Sequence, residues 1–219
     1  MTLKLVIGNK NYSSWSMRPW LAMRAAGIPF EEIFIPLYTD DKADKDRILG
    51  FSRAGKVPAL IDGDITVWDS LSIIEYLAER FPDAKLWPQD RAARAHARSI
   101  SAEMHSGFLP LRNECGMNLH RPVGAVTLSA DAQANVARVQ EIWTECRDRN
   151  GKSGPYLFGA FTAADAMYAP VVHRFCTYAV RVFPQVQAYM DAMMALPAFA
   201  EWTRAGLAET LVIEKFETV

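Results

Sequence analysis

The chain has 219 residues, 50% of them hydrophobic and 22% charged, with 24 Lys+Arg against 25 Asp+Glu for a formal net charge of −1. At about 150 residues per domain it forms one large domain or two small ones, and either buries roughly two-thirds or more of its unfolded surface without a disulfide or metal staple. The balanced charge, without a basic block, argues against nucleic acid or an anionic membrane as partner, and no apolar run approaches the ~20 residues of a membrane span.

Leu3–Ile7 reads as a strand, followed by a polar loop from Gly8 to Ser14 and a helix near Ser16–Ala26 that Gly27 and Pro29 stop. Phe30–Ile35 reads as a second strand and Asp44–Phe51 as a short helix. Ala59–Ile61 and Ile65–Val67 flank Asp62-Gly63, a strong hairpin signal. Ser70 opens a helix with Ile73, Ile74, Leu77 and Phe81 on one face and Pro82 at its end. A strand–helix–strand unit needs a parallel pair with a right-handed crossover, and the closing hairpin adds an antiparallel strand. The order βαβαββα therefore predicts a mixed four-stranded sheet covered by helices.

The remaining chain is helical throughout, which divides it into an α/β domain over 1–81, a linker over 82–89 containing Pro82 and Pro88, and an all-α domain over 90–219. Asp90 caps a long helix running to about Arg112, and Ser129–Arg149 carries Val136, Val139, Ile142, Trp143 and Cys146 at helical spacing. Thr162 and Asp165 fit a capping pattern, with Phe161 and Ala166 able to form a hydrophobic staple. Pro184–Ala195 and Pro197–Ala205 complete the series. Cys115, Cys146 and Cys176 form no CxxC pair, and His96, His120 and His173 lack ligand spacing, so neither a metal site nor a dithiol redox motif is expected and a reduced, cytoplasmic protein is.

Within this frame stand Ser13-Ser14-Trp15-Ser16-Met17-Arg18 after the first strand, Gly55-Lys56-Val57-Pro58-Ala59-Leu60, Trp68-Asp69-Ser70 entering a helix, and Phe161-Thr162-Ala163-Ala164-Asp165. In this order and spacing they resemble the cytosolic glutathione transferases over essentially the whole chain, and among these the serine-type zeta and tau classes. The resemblance implies a thioredoxin-like N-terminal domain that binds glutathione, a helical C-terminal domain that holds a second substrate, and a homodimer. It implies a cis bond before Pro58 that turns the Val57 main chain toward the tripeptide. It further implies that Ser70 takes the γ-glutamyl carboxylate, Asp69 the adjacent ammonium and Lys56 the glycine carboxylate. Asp69 and Ser70 stand at a helix N-terminus, where a carboxylate is favoured; taken alone they read as a first-turn charge and an N-cap, and only together with the other motifs do they point to a ligand. Asp40–Asp46 and Arg47 are further candidates near the glycine end.

A thiol with a pKa near 8.5 is mostly protonated at neutral pH, so activation needs a donor beside the sulfur. The resemblance gives this role to Ser13, with Ser14 as the alternative and Tyr12 third. The run is close to the SSCS motif of the zeta class, but Trp15 replaces its cysteine. Trp15, His105, Phe108 and Arg112 are the candidates for an apolar second-substrate pocket, the last three sharing one face if the long helix is continuous. The expected function is transfer of glutathione to an electrophile. A glutathione-dependent cis–trans isomerase of an unsaturated diacid and a non-catalytic binding protein are the alternatives.

Overall fold

The computed structural model describes residues 2–39 and 41–217, and its four strands form one sheet in the order β2-β1-β3-β4. Strand β1 (Leu3–Ile7) pairs in parallel with β2 (Phe30–Phe34), Leu3 opposite Phe30 and Ile7 opposite Phe34. Strand β3 (Ala59–Asp62) runs antiparallel to β1, and β4 (Ile65–Trp68) antiparallel to β3. Helix α1 (Ser14–Ala25) makes the crossover that a parallel pair requires. The hairpin turn is Gly63-Asp64, one residue later than the sequence suggests, with Gly63 at φ 59 where a side chain would be strained.

Alternation along the strands separates two interiors. Leu3, Leu5, Ile7 and Leu60 join the main core with α1 and α3 (Ser70–Arg80), whereas Val6 and Ala59 meet Ile35 and Ile48 beneath α2 (Lys42–Phe51). The second half contributes α4 (Arg91–Ser106), α5 (Leu109–Glu114), α6 (Ala130–Asn150), α7 (Ala163–Thr177), α8 (Pro184–Ala195) and α9 (Pro197–Leu207). Trp20 and Leu21 of α1 share one continuous core with Met104, Trp143, Met167, Phe175 and Trp202, and α1 packs on α7 and α9 as well as α3. The sheet and the helical half thus fold around a common interior.

Two elements differ from expectation at places that matter for function. Helix α1 begins at Ser14, two residues earlier than the sequence suggests, because Ser13 is its cap, Ser13 Oγ accepting the Ser16 N–H at 3.2 Å. The long helix expected to reach Arg112 breaks at Gly107. A Cβ there would lie 2.8 Å from the Glu103 carbonyl oxygen, and Phe108 follows at φ 60. Pro110 then sits in the first turn of α5, where its missing N–H costs nothing. His105, Phe108 and Arg112 therefore do not share a helix face.

The capping pattern before α7 forms inside the core. Asp165, fully buried, accepts hydrogen bonds from Thr162 N at 2.7 Å, Thr162 Oγ1 at 2.9 Å and Leu157 N at 3.0 Å.

Candidate functional site

The loop ahead of α1 is fixed from three sides before it delivers its serines. Asn9 Oδ1 accepts from Leu37 N at 2.9 Å, and Asn11 Oδ1 from Leu119 N at 2.6 Å. Lys10 N and Asn11 N both donate to the Glu209 carboxylate, at 2.6 and 3.1 Å. Gly206 allows this approach, since a Cβ there would lie 2.5 Å from Leu119 Cδ1 and 3.2 Å from Asn11 N.

At the end of the loop Ser13 Oγ donates to Ser16 Oγ at 2.8 Å, and Ser16 Oγ also accepts from Gly8 N at 3.1 Å. Ser14 Oγ accepts from Arg174 Nη2 at 3.5 Å, and both Ser13 and Ser14 are buried. Tyr12 points elsewhere: its hydroxyl donates to Glu217 at 2.5 Å and accepts from Ile213 N at 3.3 Å, and its ring stacks on Phe216. That hydroxyl belongs to the C-terminal segment rather than to the head of α1.

Around Trp15 the surroundings are more cationic than the apolar pocket expected. The Arg18 and Arg112 guanidiniums lie 4.3 and 4.7 Å from its ring centroid, and His105 meets it edge-on at 5.3 Å. Arg112 donates back to the carbonyls of Met104 and His105, which binds α5 to the last turn of α4. Arg174, from the buried face of α7, donates to the Cys115 carbonyl at 2.8 Å. Arg18 is fully buried, and its Nε and Nη1 have no partner. Burial, then repulsion from Arg112 and Arg174, pushes its pKa well down; burial and Arg112 lower Arg174 to about 10. Three cations from three helices thus converge, with Asp69 as the anion that opposes the shift at Arg18. Phe108 is buried in the main core.

At the head of α3, Asp69 adopts φ 74 and ψ 135, a region that side chains rarely enter. Its Oδ1 accepts from Leu71 N at 2.9 Å and Ser72 N at 3.4 Å, and its Oδ2 lies 3.1 Å from His105 Nε2. Ser70 is buried with its hydroxyl unpartnered. The Val57–Pro58 peptide is cis, Pro58 is buried, and the pairing of β3 with β1 begins one residue later at Ala59. Lys56 is exposed in the loop before it. Of the further candidates near α2, Asp44 and Asp46 pair with Arg47 and Lys42 on their own helix, while Asp40 lies outside the described residues.

Sequence reasoning did not assign a role to Arg18 or Arg174. The one available signal is that Arg174 stands in the largely apolar α7; Arg18 ends the serine motif without any pattern that marks it as buried. The assembled features are a helix head with a spare hydroxyl and a carboxylate, a second helix head with two buried hydroxyls, and a cationic cluster around one indole. Chemically these suit a zwitterionic amino-acid head, an anionic nucleophile and a further anionic or aromatic group.

Comparison with known proteins gives two domain matches: residues 12–80 match the glutathione S-transferase N-terminal domain, and residues 129–205 the glutathione S-transferase C-terminal domain. The chain is 32% identical over 192 residues to the maleylacetoacetate isomerase of Rattus norvegicus, covering 85% of this chain and 86% of that one. It is 28% identical over 205 residues to glutathione S-transferase Z2 of Arabidopsis thaliana, covering 87% and 88%. A Burkholderia glutathione transferase homologue with bound glutathione shares the fold, with a TM-score of 0.70 at 24% identity over 95% of this chain and 100% of that one.

Proposed function

The chain belongs to the glutathione S-transferase family, and from that premise we propose that it binds reduced glutathione across the heads of α1 and α3 and the Val57–Pro58 turn, and activates the thiol for attack on an electrophile. In this reading the hydroxyl and main-chain N–H of Ser70 hold the γ-glutamyl carboxylate at the head of α3, and Asp69 takes the ammonium. The Val57 main chain before Pro58 pairs with the cysteinyl unit, and Lys56 meets the glycine carboxylate. The observation that carries it is Asp69. A non-glycine residue at φ 74 costs on the order of 1–3 kcal/mol, and such strain clusters at ligand sites. Here it sets a carboxylate beside a buried, unpartnered Ser70 hydroxyl at a helix head.

Ser13, or alternatively Ser14, donates to the sulfur. Lowering a thiol pKa by about two units takes roughly 2.7 kcal/mol. One hydroxyl bond to a charged acceptor supplies about 1.5–3 kcal/mol, and the N-terminus of α1 up to about 1 more. The Ser13 proton now points to Ser16 Oγ; turning it to sulfur leaves the cap from Ser16 N intact. The test is the pH–rate profile with 1-chloro-2,4-dinitrobenzene. Ser13→Ala is expected to raise the apparent thiol pKa by about 1–2 units and cut turnover at pH 7 about tenfold or more. The same loss in Ser14→Ala alone transfers the role to that serine, and no loss in either ends the hydroxyl mechanism.

The arginine cluster favours a second reading, in which the electrophile is an unsaturated diacid of the kind named in the isomerase relatives. The thiolate adds to the cis double bond, the resulting single bond rotates, and expulsion of the thiolate leaves the trans acid with no net change in atoms. Arg18→Met and Arg112→Met are expected to lower turnover of a cis diacid at least tenfold more than that of the dinitrobenzene. Equal losses on both substrates, or no activity with the diacid, favour the transferase reading. Homodimer formation in the cytoplasm belongs to the same proposal, and sedimentation equilibrium checks the subunit count.

A further inference from the structure

His105 has a place that neither pocket lining nor helix packing explains. It stands in the last turn of α4, where Gly107 ends the helix, and its side chain remains part-exposed. Nε2 lies 3.1 Å from Asp69 Oδ2, the ring meets Trp15 edge-on at 5.3 Å, and the carbonyl accepts from Arg112 Nη2 at 3.1 Å. Nδ1 is buried without a partner. One imidazole therefore touches the carboxylate at the head of α3 and the indole at the head of α1.

The two oxygens of Asp69 are divided in their duties. Oδ1 is occupied by the Leu71 and Ser72 N–H groups that it caps, so Oδ2 is the oxygen left for a ligand, and His105 fixes its direction. A neutral imidazole donating through Nε2 orients Oδ2 and leaves the carboxylate negative. A protonated one would neutralise it and compete with any ammonium for the same oxygen. The groups facing the ring are Asp69 at the head of α3, Arg18 on α1 and Arg112 on α5, with Glu75 and Glu79 farther along the same groove on α3. Burial, assisted by the two arginines, outweighs Asp69 and holds the imidazole pKa below its ordinary value, which keeps the ring neutral at physiological pH.

We propose that His105 is a positioning residue: it holds Asp69 Oδ2 for the glutathione ammonium and, through Trp15, couples that site to the pocket for the second substrate. The inference rests on the glutathione reading above and adds a residue from the helical half to a site otherwise built by the sheet half. Because binding linkage is reciprocal, glutathione at Asp69 then strengthens the hold on the electrophile, and the electrophile strengthens the hold on glutathione by the same factor.

The test uses S-methylglutathione, whose blocked sulfur removes thiol ionisation from the measurement, in calorimetric titrations of the full chain between pH 5.5 and 8. For the wild type the affinity is expected to fall progressively as the pH is lowered toward 5.5, with full protonation of the ring costing about fivefold, the size of an ordinary exposed ion pair. His105→Gln, which keeps an N–H donor but cannot titrate, should bind like the wild type at pH 7.5 and lose the pH dependence. His105→Ala should bind about three- to fivefold more weakly at every pH. In steady-state assays the KM for 1-chloro-2,4-dinitrobenzene should fall as glutathione rises in the wild type and stay constant in His105→Ala. Wild-type affinity in His105→Ala, a pH dependence that survives in His105→Gln, or a wild-type KM independent of glutathione overturns the proposal. Asp69→Ala separates the two levels. If it binds S-methylglutathione like the wild type, the ammonium does not sit on Asp69 and the glutathione reading falls as well. If it binds weakly while the His105 variants behave as wild type, the role of His105 alone is lost.

Discussion

Replacing Asp165 with asparagine sets two opposing forces against each other at one buried atom pair. Three donors from Leu157 and Thr162 stabilise the carboxylate, whereas full burial penalises its charge. Burial wins, and the carboxyl pKa is raised from 3.8 to about 6. An acid whose folded pKa is raised stabilises the fold fully below its unfolded pKa and loses that contribution as pH rises through the folded value. The window is therefore pH 4 to 6, and about two units at 1.36 kcal/mol each make about 3 kcal/mol. Asparagine has no titration and one acceptor oxygen, so at least one buried donor faces its amide NH2, costing about 1–3 kcal/mol at pH 7. Urea unfolding of both proteins at pH 4, 5, 6 and 7 isolates the effect, because every other titration cancels in the difference. The gap is expected to be about 2 kcal/mol at pH 7 and to widen by about 3 kcal/mol toward pH 4. A gap that narrows as the pH falls would mean that the three hydrogen bonds outweigh burial, and would refute the reasoning.

His173 carries the opposite sign. Buried against Phe199 with Thr203 Oγ1 at 3.2 Å, its pKa is lowered to about 3. Its contribution is complete above pH 6.5 and lost as the pH falls toward 3, which makes about 3 kcal/mol by pH 4. His173→Gln should unfold less steeply between pH 6.5 and 4, and an unchanged slope by tryptophan fluorescence counts against the assignment. Gly206→Ala should destabilise the chain by about 1–3 kcal/mol in a thermal melt, because the added methyl meets Leu119 and the Asn11 main chain. By displacing the loop that carries Ser13 it should also lower turnover, and full stability with full activity would show that the loop yields freely.

Much of the architecture follows from local signals. Strand alternation at Leu3–Ile7, the glycine at 63, prolines at 184 and 197 and the Thr162/Asp165 pair each specify their element through sterics and hydrogen bonds within a few residues, and the observed helices α8 and α9 start where those prolines stand. The errors are local competitions that neighbours resolve. Two serines can cap α1, and the one chosen is Ser13, whose hydroxyl joins the Gly8 and Ser16 network. The stretch through Arg112 has helical character throughout, yet the Glu103 carbonyl leaves room only for a glycine at 107.

The sequence alone determined that a βαβαββα sheet unit precedes a set of helices, and which short motifs mark the heads of α1 and α3. Only the tertiary structure decided what meets there: Arg18, Arg112 and Arg174 around Trp15 and Ser14, His105 on Asp69, and Phe108 buried in the core. Secondary structure and caps depend on interactions between residues close along the chain, so composition and spacing reveal them. The convergence of long polar side chains from separate helices depends on how those helices pack, and no period within any one of them records it.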